Sequence, residues 1–351
     1  VILKIDDRIR NRKVENFLNF ELSLRYDSFS SGFSFSAQFN PDILEHKELY
    51  CIGHYHKCTL EHEGKLLMTG YFLSQGFKSS HVSNPVAIGG CSLTGFLEDC
   101  QIPETMGLEF NNLSLRQIAQ QILRPFQLSI VVDPSVQREM DKPFEKATAE
   151  PTQTIKDFLT KLAGQKNIVI THNAQGNLVF TRIKTKTTPI LNYGGNGLPC
   201  PEMVLSFNGQ AMHSHITVKK QASKENPNAG EVTIRNPYVP FVYRPRVITQ
   251  NSGDNVDTSL AARNALSDEL RNISLKFTTD RWFVDGKVIM PNTEITVLNP
   301  KAYLFKRSRW FVEQVDFKGD SKALIASVTC VLPEVYNNDT PKYLFEGINL
   351  H

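Results

Sequence analysis

Apolar stretches long enough to cross a bilayer are missing from this 351-residue chain. The longest, at 168–170 and 323–328, are strand-sized and fall far short of the roughly 20 residues that a spanning helix needs, so no membrane insertion is expected. Cysteine is scarce. Cys51, Cys58, Cys91, Cys100, Cys200 and Cys330 are thinly spread and form no CxxC pair, which fits free, buried thiols better than a disulfide framework. The first seven residues, Val1-Ile2-Leu3-Lys4-Ile5-Asp6-Asp7, read as a short strand without the basic start or apolar core of a secretion leader, and none is expected. An excess of one charge is lacking too: 39 basic against 36 acidic residues leave a formal +3, which gives no reason to expect nucleic acid or an anionic membrane as partner. Tryptophan occurs only as Trp282 and Trp310, too seldom to line a carbohydrate-binding groove. What is present, 40% hydrophobic and 21% charged residues, describes an ordinary globular chain. Its length suits about two to three domains.

Catalytic signatures are absent as well. There is no GxSxG elbow, no HExxH, no P-loop and no GxGxxG after a strand. The run Gly194-Gly195-Asn196-Gly197 precedes no helix and reads as a flexible connector rather than a phosphate cradle. Glu98 and Asp99 are adjacent on extended chain and point to opposite faces, a poor acid/base couple. One cluster carries ligand chemistry: Cys51, His54, His56, Cys58 and His62. Residues two apart on a strand share a face, so His56, Cys58 and His62 could converge on zinc, and a metal-dependent hydrolase using His54, His56 and Cys58 is the enzymatic alternative. The spacing matches no common zinc pattern, so a packed or surface role without metal or cofactor is expected, as for His213 and His215. The basic groups 306–309 and 244–246 lack interleaved aromatics and read as solvated loops or a protein interface.

Periodicity organises the chain. Phe20, Leu22, Leu24 and Tyr26 alternate with polar residues, and after Ser30-Ser31-Gly32 the alternation resumes at Phe33, Phe35, Ala37 and Phe39, a hairpin with one buried face. Further period-2 runs at 58–62, 66–72 and 86–93 make residues 1–98 an all-β unit. The period then changes. Leu115, Ile118, Ala119 and Ile122 fall at helical spacing behind a Ser114/Gln117 capping box, with Pro125 ending the run. A second helix carries Ile155, Phe158, Leu159 and Leu162, opened by Thr152 or Thr154 and closed by Gly164. A hairpin follows, 167–171 and 177–183 around the turn 173–176. Strands resume near 204–207 and 213–219, the Asn-, Pro- and Gly-rich stretch from 222 reads as a loop or irregular hairpin, and one helix spans 259–271. The rest is β: 274–277, 288, 294–298, 309–317 and 324–332. The order of elements before 93 is echoed between 289 and 332, in length and sequence of strands more than in residue identity.

The run 56–72, ending in Thr69-Gly70-Tyr71-Phe72, resembles the strand, turn, strand segment in the first barrel of the central baseplate hub proteins of contractile-tailed phages, the Mu-type tail protein family. The stretch 86–100, with Gly95, Leu97 and Asp99, is similar to the end of that barrel. Residues 113–128, and 154–162 followed by Gly176-Asn177-Leu178, resemble the family's middle part. Residues 291–297, starting at Pro291, and 310–315, starting at Trp310, resemble its second barrel. The likeness runs from about Phe33 to Pro333. It marks Gly70, Tyr71, Gly95, Leu97, Asp99, Gly176, Pro291 and Trp310 as structural positions, with no catalytic residue.

The resemblance implies a mainly β fold with an α+β insert, two similar small β-barrels bracketing a mixed unit. The boundaries are 1–98 for the first barrel, 99–190 for the insert, 191–335 for the second barrel with helix 259–271 and an extra loop unit around 222–257, and 336–351 for a tail. It implies a non-enzymatic homotrimer in which six comparable barrels form a pseudo-sixfold ring. This ring would join the tail tube protein to a trimeric spike protein among other baseplate proteins, in the virion, after assembly in the host cytoplasm. The hub part of type VI secretion spike proteins is a related family, and a tailocin or type VI-like hub is the nearest alternative. No long repetitive β-helix follows the second barrel, so the spike is expected as a separate polypeptide.

Overall fold

The computed structural model describes every residue except 8–9, 183–187, 221–229, 251–256, 281, 321, 338, 340 and 346–351. The chain divides into two compact units, Val1–Arg182 with Asp280–Trp282 and Gln314–Ala326, and Ile183–Thr279 with Phe283–Glu313 and Ser327–His351.

The first unit begins with β1 (Ile2–Asp7), β2 (Arg10–Val14), β3 (Asn19–Arg25), β4 (Gly32–Gln38), helix α1 (Leu44–Leu49), β5 (Lys57–His62), β6 (Lys65–Phe77) and β7 (Pro85–Ser92). These strands pair antiparallel in the order β3-β4-β7-β6-β5-β1-β2, and the segment 314–320 adds to the outer side of β3 through pairs running from Gln314↔Arg25 to Asp320↔Asn19. No ladder among the described residues joins β2 to the far end, so the pairing is that of an open antiparallel sheet and not of the closed barrel expected from the sequence. The period-2 reading itself holds: Phe20, Leu22 and Leu24 on β3 and Phe33, Phe35 and Ala37 on β4 are all buried. Trp282 completes this core. Its ring lies 6.0 Å from Phe20 and 4.9 Å from Phe317, and its Nε1 donates to the carbonyls of Lys318 and Ile325, each at 3.1 Å.

The rest of the first unit is mixed: β8 (Glu109–Ser114), α2 (Leu115–Leu123), β9 (Ile130–Val132), α3 (Gln137–Asp141), β10 (Pro143–Thr148), α4 (Ile155–Gln165), β11 (Val169–His172) and β12 (Leu178–Thr181). The expected capping box is present, Gln117 N donating to Ser114 Oγ at 3.3 Å and Ser114 N to Gln117 Oε1 at 2.9 Å. Thr154 caps α4, accepting from Asp157 N at 3.1 Å. Gly164 does not close that helix: it runs through Gln165, and the chain leaves it at Asn167, which takes the left-handed φ of 54°. Asparagine tolerates that conformation almost as well as glycine, which is why the stop was misplaced. Strands β11 and β12 form the expected hairpin, of which residue 183 lies outside the described residues. Leu97 and Phe29, from the β region, join Leu115, Ile118, Phe158, Leu159 and Phe180 in one apolar cluster.

The second unit contains β13 (Leu191–Tyr193), β14 (Met203–Phe207), β15 (His215–Lys220), β16 (Gly230–Arg235), β17 (Pro245–Gln250), α5 (Thr258–Leu270), β18 (Ile273–Thr279), β19 (Phe283–Val284), β20 (Lys287–Val288), β21 (Thr293–Asn299), the portion of β22 (Leu304–Asp320) up to Glu313, the portion of β23 (Leu324–Val331) from Ser327, and α6 (Glu334–Asn337). Helix 259–271 is thus found one residue earlier. The described part of the stretch expected as a loop unit at 222–257 instead supplies β16 and β17, which flank β15 in a three-stranded sheet, one antiparallel and one parallel. Its Asn/Pro/Gly content hid the alternation Val232/Ile234 and Val247/Thr249, which is short because only one face is covered. Residues 221–229 and 251–256 of that stretch lie outside the described residues. The run 194–197 is a pinned turn rather than a flexible connector. Gly194 N donates to the Leu198 carbonyl at 2.8 Å, and Arg307 Nη2 donates to the Gly194 carbonyl at 2.9 Å.

Candidate functional site

Five of the eight residues singled out from sequence meet in one place in the first unit. Gly70 on β6 faces β7 so closely that a Cβ there would lie 2.1 Å from the Cys91 carbonyl oxygen. The next residue, Tyr71, stacks on Phe96 at 5.4 Å. Gly95 sits in the 3-10 turn Leu93–Glu98 that leaves β7, leaving room for Cys91 Sγ and Ser30 Oγ, and Leu97 of the same turn drives fully buried into the apolar cluster. Gly176 arrives from the β11–β12 hairpin. Its φ of +85° belongs to the left-handed region, and a Cβ would strike the Leu93 side chain at 2.6 Å. Asp99 ends the 3-10 turn and faces Cys100, whose thiol is held above its ordinary range by burial first and the neighbouring carboxylate second. Pro291 and Trp310 lie apart from these, in the second unit. Pro291 opens the turn into β21, where Asn292 takes a φ of 65° and its N–H donates to the Val312 carbonyl at 3.0 Å. Trp310 is fully buried opposite Ile295, with Nε1 donating to Ser308 Oγ at 2.9 Å.

Polar contacts lock the hairpin of the mixed region onto the β region. Thr69 Oγ1 donates to the Ala174 carbonyl at 2.7 Å. His172 Nδ1 donates to the Ser28 carbonyl at 2.9 Å, and Nε2 lies 2.8 Å from Ser31 Oγ. Since a carbonyl only accepts, the proton sits on Nδ1 and Nε2 takes the Ser31 hydroxyl proton. Ser31 in turn exchanges backbone bonds with Ser92, and Lys156 reaches Glu98 at 3.0 Å. Sequence reading missed His172. The available signal was a histidine at a strand end just before an Asn-x-x-Gly turn, where a ring can reach two acceptors at once.

Burial holds His172 below its ordinary pKa, opposed by the Ser28 carbonyl and by Glu98. An unfolded histidine therefore binds its proton more readily than the folded one, so stability rises with pH through this group and is lost as pH falls below the unfolded value of 6.5. His62, also lowered by burial, acts in the same direction. The difference between His172→Gln and the parent is therefore the informative quantity. We expect the variant to be less stable at pH 7.5, by about 1–2 kcal/mol for the lost bonds, with the gap narrowing at pH 5. Urea titrations at both pH values check it, and a gap that widens toward acid would refute the assigned tautomer.

The histidine and cysteine cluster does not assemble a site. His56, Cys58, Leu60 and His62 do share a face, but that face is the core. His56 packs edge-on against Phe72 at 6.1 Å, with Nε2 3.2 Å from the Glu48 carbonyl, and His62 lies on Trp282 at 4.7 Å. Six residues of extended chain separate the two rings by roughly 20 Å, too far for one ion. Among the described residues no group of three His, Cys, Asp or Glu is placed to hold a metal. Burial pushes the Cys58 and Cys330 thiols well above their ordinary range, away from the thiolate that reactive cysteines need. All six cysteines are free, but only these two are buried and the rest are half-buried, so the expectation of buried thiols holds in part. The basic clusters are turned to internal work: Arg307 and Arg309 reach Thr296 and Glu294, each at 3.1 Å, and Arg246 reaches Glu269 at 3.1 Å. A junction built from glycines, apolar contacts and neutral hydrogen bonds positions chain segments; it offers no nucleophile and no general base.

Residues 94–182, the junction's 3-10 turn and the mixed region, match the family described as baseplate hub protein gp44-like, second domain. Over 279 residues the chain is 26% identical to the baseplate hub protein gp44 of Escherichia phage Mu, covering 74% of this chain and 70% of that one. The chain belongs to the Mu-type family of baseplate hub proteins. That family is structural and not enzymatic, in keeping with the chemistry of the junction. Solved structures carry the fold further than sequence does. The 43 kDa tail protein of prophage MuSo2 from Shewanella oneidensis superposes with a TM-score of 0.79 at 21% identity, over 95% of this chain and 98% of that one. The E. coli c3393 protein, a type VI secretion component with structural similarity to T4 tail proteins, superposes with a TM-score of 0.56 at 13% identity, over 97% of this chain and 80% of that one. As a baseplate hub protein, the chain contains, among its described residues, no helix long and apolar enough to cross a membrane.

Proposed function

We propose that this hub protein acts as a homotrimer in a contractile tail, a ring that joins the tail tube protein to a trimeric spike protein and meets other baseplate proteins at its rim. Residues 1–98 and 191–335 are the two β modules that the resemblance describes as barrels, with 99–190 inserted between them and 336–351 as the tail. Three chains then offer six comparable modules, which suits a sixfold tube above and a threefold spike below. Gly70, Tyr71, Gly95, Leu97, Asp99, Gly176, Pro291 and Trp310 serve as its structural positions. The observation that carries this reading is the presence of two β-dominated units in one chain of a baseplate hub family. The fold likeness to a type VI secretion component favours the same design in a second setting, a tailocin or type VI-like machine, and gene neighbourhood separates these.

Sedimentation velocity of the purified chain is expected to give a trimer at micromolar concentration, and electron microscopy a ring with threefold symmetry and six similar lobes. A stable monomer at that concentration, or two β modules of unrelated topology once superposed, would refute the ring.

A further inference from the structure

The loop 236–244 in the second unit is pinned at its base and apolar at its tip. At the base, Arg244 N donates to Ser214 Oγ and Ser214 N to the Arg244 carbonyl, both at 2.8 Å. The Arg244 guanidinium donates to the carbonyls of Gly209 at 2.6 Å and Gln210 at 2.8 Å. Tyr238 N donates to Asn236 Oδ1 at 3.0 Å, and its hydroxyl to the Lys342 carbonyl at 2.9 Å. Above this base Phe241, Val242 and Tyr243 are 89%, 57% and 77% exposed. Flexible loops can fold apolar residues away from water, but a loop held by this many bonds cannot. Three consecutive apolar side chains fixed in solvent mark a surface that something covers, with the ordering cost of binding already met by the fold.

The same chain carries a counterpart. In the first unit, α1 and the turn after it expose Leu44, Ile52 and Tyr55 at 64%, 72% and 56%. Asp42 and Glu45, both exposed, border that patch, whereas Arg235 and Arg246 border the tip. Apolar centres with rims of opposite charge are the pattern of a specific interface. Two different surfaces that fit each other between copies make a heterologous contact, the kind that closes into a ring.

We propose that Phe241–Tyr243 of one copy docks on the 42–55 patch of the next, a contact that rests on the trimeric reading above and assigns its interface. The test uses the full chain in two variants, Phe241→Ser with Tyr243→Ser, and Leu44→Ser with Ile52→Ser. All four side chains are exposed, so circular dichroism and melting should stay those of the parent. Each variant alone should shift the monomer–trimer midpoint to at least about thirtyfold higher concentration, the effect of losing interface hot spots. Mixed in equal amounts, the two should form a one-to-one dimer, because each supplies the half that the other lacks. A trimeric parent with variants that stay trimeric overturns the docking and leaves the ring standing. A parent that is monomeric at micromolar concentration refutes the ring itself. Variants that are monomeric yet form no mixed dimer also overturn the docking, since tip and patch then contact something other than each other. So does a tip variant that stays trimeric and loses only the binding of a different baseplate protein.

Discussion

Trp310→Ala should lower stability by about 3–5 kcal/mol, the range for removing a large aromatic side chain from a core. Trp310 has no exposed surface, stands opposite Ile295 on the β21–β22 ladder, and gives its only N–H to Ser308 Oγ, which donates onward to the Val297 carbonyl at 3.2 Å. Truncation opens a cavity and also removes one partner of a buried hydroxyl. Trp310→Phe separates the two effects, since it keeps most of the apolar surface and loses the donor, and should cost about 1 kcal/mol more than its volume change alone. Calorimetric melting of the two variants beside the parent reads both numbers. A loss below about 1 kcal/mol for the alanine variant would mean that the site collapses or is not buried in solution.

Gly70→Ala should cost about 3 kcal/mol or more, although it adds a single methyl group. That methyl would lie 2.1 Å from the Cys91 carbonyl oxygen and 2.9 Å from its carbon. Both are backbone atoms of a paired strand, so no side-chain rotation relieves the contact and β6 must part from β7. Gly76 on the same strand is the control: an added Cβ there meets nothing within 4 Å, and Gly76→Ala should be neutral within about 0.5 kcal/mol. Urea midpoints for the two variants decide the matter. Equal midpoints would show that the close approach is not a feature of the native junction.

Whether these positions could be read in advance depended on what kind of constraint acts on them. Phe20, Leu22, Phe33 and Phe35 announced their strands because one face is buried and the side-chain period is two. Ser114 and Gln117 announced the start of α2 because capping is a local bond. Helix α1 gave no such signal, since Leu44 points to solvent and only Leu49 is buried, leaving no apolar stripe. The pairing of β3 with residues 314–320 was equally silent, because register between segments far apart in sequence is set by the assembled core. Gly70, Gly95 and Gly176 stood out by resemblance to a family, but the reason for glycine lies in neighbours from other strands and the hairpin, invisible to any window of sequence. His172 and the Phe241–Tyr243 tip have no period at all. The first is explained by two acceptors on a distant loop, and the second by the pinned base beneath it.

The pairing of β3 with residues 314–320 sets an order of events on the ribosome. Arg25 emerges early, yet its partner Gln314 and the core residues Trp282 and Phe317 are made only as synthesis nears its end. The first unit therefore cannot complete its sheet during translation of its own first half, and β3 keeps an open edge for most of that time. Contacts of such long range also slow folding once the chain is released. A polypeptide with this connectivity matures late and all at once, so incomplete chains would lack the finished edge strand and could not enter an assembly ahead of full-length copies.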